Sequence, residues 1–141
     1  MTLIKSIIVL FSIFNLLFSW CDHSINGPET PQGRYVYKGY DSTGVKIVTG
    51  WLKIELDDSF TVSGEWNFYQ VGEPENIGPQ IGSGNLIGNY EKGKLSLNLN
   101  PNMQDNNVLL SGDYNDKIFA GEWMYVGYPG VLNQGTFRAV K

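Results

Sequence analysis

Beyond Trp20, no stretch of the chain carries apolar residues at helical spacing over a dozen positions, while Gly, Asn, Asp and Pro recur throughout. Such punctuation leaves no segment long enough to nucleate a helix and bury one of its faces, so the chain reads as short strands joined by turns. Eight strands are expected, over 33–40, 45–56, 59–69, 83–90, 93–99, 107–115, 117–126 and 134–140. "DSTG", "DD", "EKG" and "ND" read as hairpin turns. Longer connections are expected at 71–81, 101–106 and 127–133.

Period-two alternation assigns an inward face, because successive side chains of a strand point to opposite sides of the sheet. "KLSLNLN" shows it most plainly, with Leu95, Leu97 and Leu99 on one side. The same parity selects Tyr35, Tyr37, Val48, Leu52, Ile54, Leu56, Phe60, Val62, Trp66, Phe68, Leu86, Tyr90, Val108, Leu110, Tyr114, Phe119, Trp123, Tyr125, Phe137 and Ala139, a set without formal charge. It also selects glycines, among them Gly64 and Gly121. Glycine inside a strand permits a sharp bend or a close approach of backbones, the device by which coiled sheets close into barrels.

Gly-Glu-Trp occurs twice, in "SGEWNF" and in "AGEWMY". Each copy follows an acidic turn and leads through a loop to a closing strand, so the chain reads as two similar four-stranded halves. Gly64 and Gly121 then bend their strands, Trp66 and Trp123 fill the interior, and Glu65 and Glu122 face solvent. The expected fold is all-β: one eight-stranded antiparallel meander closed into a barrel, which leaves no open sheet edge. With "GRYVY" opening the first strand and "GTFRAVK" closing the last, residues 33–141 resemble the calycin group of lipocalin and avidin-type barrels, and the small lipocalin-like lipoproteins of bacteria. That resemblance implies a barrel holding a small ligand, with Arg138 covering one end.

The chain opens with Lys5 followed by the uncharged apolar stretch "SIIVLFSIFNLLFSW" and its only cysteine, Cys21. Residues 1–20 read as a signal peptide, 21–32 as a tether containing Pro28 and Pro31, and 33–141 as the barrel domain. The placement of Cys21 resembles the lipobox of bacterial lipoproteins, which implies lipidation there and a membrane-anchored, extracytoplasmic domain. Trp20 stands where that pattern has a small residue, so ordinary secretion and an uncleaved anchor remain open alternatives. Without Lys5 the chain has nine basic and fourteen acidic side chains, a formal charge of −5. An acidic domain without a Lys/Arg cluster is not built for nucleic acid.

The residue types also limit chemistry. His23, the only histidine, falls in the tether, so no His cluster, Ser–His pair or domain thiol is present, and no metal or cofactor is expected. Glu65 and Glu122 are the obvious carboxylate pair for glycoside chemistry, but parity turns both outward, while Asp57, Asp58, Asp113 and Asp116 sit in turns, so a carboxylate-based glycan-processing enzyme ranks third. The first expectation is therefore a non-catalytic protein that binds a small apolar or amphipathic ligand through inward Tyr35, Tyr37, Trp66, Phe68, Tyr90, Trp123 and Tyr125, near the 71–81 and 127–133 loops. The alternative is a solid barrel that binds a cell-envelope protein or acts as an inhibitor through outward Tyr40, Val45, Ile47 and Trp51.

Overall fold

The computed structural model describes residues 29–128 and 130–141. The expected signal peptide, Cys21 and His23 lie outside them. Eight antiparallel strands follow one another around a closed ring: β1 (Gly33–Tyr40), β2 (Lys46–Leu56), β3 (Thr61–Gln70), β4 (Gly82–Glu91), β5 (Lys94–Asn98), β6 (Asn106–Asn115), β7 (Ile118–Gly127) and β8 (Gly130–Val140). β1 pairs with β8, so every strand has two partners. An all-β barrel is thus the fold, as the alternation and turn spacing predict.

Both tryptophans of the repeated triplet are buried, and both glutamates are exposed. Trp66 on β3 pairs with Gly84 on β4; its indole lies over that glycine and donates from Nε1 to the Leu99 carbonyl just beyond β5, at 2.7 Å. Trp123 on β7 pairs with Gly135 on β8, lies over it, and donates to the Tyr40 carbonyl at the end of β1, also at 2.7 Å. Each ring therefore ties its own strand to the second strand along, and the two ties make the halves structurally similar. A buried indole that satisfies its N–H in this way combines large apolar burial with no polar penalty.

Gly64 and Gly121 are needed one step earlier. A Cβ on Gly64 would overlap the Lys53 carbonyl of β2, and one on Gly121 the Ser111 carbonyl of β6. The strands cross so closely there that no side chain fits, and this tight coiling closes a ring of eight.

The ends are closed by different means. At one end the tether becomes part of the barrel: Pro31 is buried, Tyr35 donates to its carbonyl at 2.5 Å, and Tyr114 donates to the Thr30 carbonyl at 2.9 Å. Lys141 adds an ammonium 5.9 Å from the Tyr35 ring centre and 6.0 Å from that of Tyr114. Lys141 thus takes the covering position expected of Arg138, which lies on the outer wall beside Lys38. At the other end the 71–81 loop folds inward, burying Ile77 and Gln80. Asn133 anchors it by donating to the Asn76 carbonyl at 3.1 Å.

Three local expectations are corrected. The 127–133 segment is mostly ladder, since β8 begins at Gly130 and Val131 pairs with Val126 across a register shift. Phe60, assigned inward, sits in the β2–β3 turn at φ 62°, which turns its ring out to solvent. Ile47, assigned outward, is buried beside Val48 because the register shift between Gly39 and Tyr40 breaks the alternation at the start of β2.

The turn acids act on their own backbone. Asp41 Oδ1 accepts from Thr43 N, Thr43 Oγ1 and Val45 N; Asp57 Oδ1 accepts from Ser59 N, Ser59 Oγ and Thr61 N. The hydroxyls of Thr43 and Ser59, followed by the amides, hold both carboxyls below the usual carboxylate range. Groups with lowered folded values contribute stability above the ordinary carboxyl range and lose it as pH falls through the folded value. Urea midpoints should fall on acidification over that window, and Asp41→Asn with Asp57→Asn should flatten the slope while keeping an oxygen acceptor in each turn. Gly64→Ala and Gly121→Ala should each lower unfolding free energy by about 1–3 kcal/mol in urea melts, whereas Glu65→Gln and Glu122→Gln should stay within about 0.5 kcal/mol of wild type.

Candidate functional site on the outer wall

The aromatics expected to line a pocket meet one another instead. Tyr37 stacks on Phe68 with ring centres 4.1 Å apart and on Phe137 at 5.7 Å, and Trp66 tilts against Phe68 at 5.1 Å. Tyr35, Tyr37, Trp66, Phe68 and Trp123 belong to one continuous core with the inward aliphatics. Tyr90 and Tyr125 are half-buried at opposite ends: Tyr90 meets the edge of Tyr114, and Tyr125 packs on Gly78 of the capping loop. Eight strands enclose just enough room for side chains or one small ligand. In this barrel, stacked side chains occupy that room.

Two buried side-chain atoms, the Tyr37 hydroxyl and Gln80 Oε1 in the capping loop, lack a hydrogen-bond partner among the described residues. The Tyr37 hydroxyl is fully buried, and burial pushes its ionisation well above the ordinary range. Burial also raises Tyr35, with neighbouring Tyr114 adding to it, but the Tyr35 hydroxyl is bonded to Pro31. Tyr37→Phe should therefore raise stability by about 1 kcal/mol, since it removes an unpaired buried hydroxyl, and Tyr35→Phe should lower it by about 1 kcal/mol. Paired chemical denaturation of the two variants reads the contrast directly.

The expected partner surface is only partly available. Val45 is exposed and Tyr40 half-buried, with the Tyr40 carbonyl engaged by Trp123. Ile47 is core, and Trp51 is half-buried under Arg34, whose guanidinium carbon stands 4.1 Å from the indole centre. Glu65 and Glu122 lie on β3 and β7, four strands apart in a ring of eight, so they face opposite directions and cannot share a sugar. Among the described residues, no cluster of His, Cys, Asp and Glu could hold a metal ion.

A concavity of about 580 Å³ lies outside the barrel, across β4 to β7. Strand pairing explains its composition. Ile87, Asn98, Leu109 and Met124 stand side by side on β4, β5, β6 and β7 and form an apolar row broken only by the amide. The adjacent row on β3 to β6 is Thr61, Asn89, Ser96 and Ser111, all short and neutral. Beyond it comes Lys94 paired with Asp113 at 2.5 Å. Short Ser96 and Ser111 between two taller rows leave a trough, and Gly88, Leu97 and Leu110 complete its floor. No lining residue carries a formal charge.

The sequence carried one signal for this site. Ile87, Leu109 and Met124 are apolar residues on the outward parity of three strands, but only the register places them side by side. No known family model matches the chain, and neither a curated protein nor a solved structure is significantly similar to it.

Proposed function

We propose that the chain is a lipid-anchored, extracytoplasmic binding module without catalytic activity. Its barrel is a rigid support, and the groove across β4 to β7 holds a small, neutral, amphipathic ligand. One observation carries the reading: a groove of about 580 Å³ with no formally charged lining residue on a protein of net charge −4. That volume falls within the roughly 300–1,000 Å³ of small-molecule sites, which combine apolar surface with a few placed polar groups. Here the Ile87–Leu109–Met124 row supports the apolar body of a ligand, while Thr61, Asn89, Ser96 and Ser111 offer hydroxyls and amides to its polar part. Charged ligands would lose hydration there without gaining a partner. The anchor part of the reading rests on the N-terminal apolar stretch and Cys21.

An alkyl glycoside below its micelle concentration is a suitable probe, since it joins an apolar chain to a neutral polyhydroxyl head. Titrated into isotope-labelled protein spanning residues 22–141, it should shift the amide and methyl resonances of Ile87, Ser96, Leu109 and Met124. Ser96→Trp, which fills the trough from the solvent side, should weaken binding at least about tenfold, a loss of about 1.4 kcal/mol, and leave the melting temperature near wild type. Unchanged binding in Ser96→Trp, or shifts confined to the interior aromatics, would sink the groove reading.

A further inference from the structure

Cations and acids are unevenly distributed around the ring. Six of the nine basic side chains of the described residues, Arg34, Lys38, Lys46, Lys53, Arg138 and Lys141, belong to β1, β2, β8 or the residue after it, with Glu55 the only acid in those strands. The other described residues carry three cations and twelve acids. A chain that is acidic as a whole therefore presents one basic wall, whose centre, β1, lies across the ring from β5 at the centre of the groove.

The register gives that wall a defined pattern. Trp51, Val36, Val140 and Ile118 stand side by side across β2, β1, β8 and β7 as an apolar row, with Val36 59% exposed. Arg34 and Lys53 flank it on one side, Lys38 and Arg138 on the other. Lys53 is paired with Glu55 at 2.6 Å, but Arg34, Lys38 and Arg138 form no ion pair with a described residue, and Arg34 lies on the Trp51 ring. Cations bracketing a shallow apolar row that contains an indole match the boundary of an anionic bilayer. Phosphates meet the cations there, and tryptophan and valine reach the headgroup level.

We infer that the β8–β1–β2 wall rests on an anionic membrane surface and turns the β4–β7 groove towards solvent. Charge complementarity selects the occupant. The inference is independent of what the groove binds. It also adds a second attachment to any anchor preceding β1, the arrangement by which a lipid chain and a basic patch together hold a protein stably.

The test uses the full chain in vesicles of phosphatidylcholine alone and in vesicles that also contain phosphatidylglycerol. A membrane-impermeant amine-acylating reagent is applied and labelling is read by mass spectrometry at Lys38, with Lys94 on the opposite wall as the internal control. In the anionic vesicles Lys38 should be protected relative to Lys94, high salt should abolish the protection by screening, and Arg138→Gln should weaken it roughly fivefold through loss of one cation near the surface. Equal labelling of the two lysines in both vesicle types would overturn the inference. So would equal protection of Lys38 in neutral vesicles, which would mean that charge does not make the contact. Protection in detergent without vesicles would assign the wall to another copy of the chain and overturn it as well.

Discussion

Two indole rings crossing the interior over glycines set the geometry of this barrel. Each ring reaches a carbonyl two strands away only because the strand between them has no Cβ at Gly84 or Gly135. Closure of the sheet depends in turn on the backbone crossings at Gly64 and Gly121, where a neighbouring carbonyl fills the space a side chain would need. Glycine sacrifices chain entropy and apolar burial at these positions, and the tryptophans beside it restore the burial. Gly-Glu-Trp is therefore best understood as a closure device used once in each half, with the glutamate left in solvent.

In a core built this way the aromatics pack against one another, and the proposed recognition surface lies on the outside of the wall. Tyr37, Phe68 and Phe137 stack where a ligand would otherwise sit, while the 71–81 loop and residues 30–31 occupy the two ends. What varies around the outside is the composition of successive rows in the register. On β4 to β7 an apolar row next to a row of short neutral side chains makes a trough; on β8, β1 and β2 an apolar row lies between cations. A closed ring sets the two walls back to back without any further element.

The single-residue corrections share one cause. Alternation is a local rule that holds until the backbone departs from the ladder. At the shift between Gly39 and Tyr40 it fails, and Ile47 joins Val48 inside. At the β2–β3 turn a left-handed residue sends Phe60 outward. Near the other end of the barrel, pairing continues past Tyr125 through a second shift, so a segment rich in turn formers became strand. Turn residues signal that a chain can reverse, but they do not fix how far its ladder extends.

The strand count, the inward set apart from Phe60 and Ile47, and the burial of both tryptophans of the repeated triplet were determined by sequence, because alternation, turn chemistry and the need to bury apolar faces act over neighbouring residues. The small neutral residues of the groove and the cations of the opposite wall are equally visible as letters, yet they come from strands that meet only through pairing. Ile87 and Met124 are 37 positions apart and share a row because β4 to β7 align at one register. Arg138 stands beside Lys38 only because β8 returns to β1. Tertiary structure alone decided those neighbours, and with them whether the aromatics enclosed a pocket or packed it shut, since the outcome depends on how rings from different strands interlock in a space of fixed width.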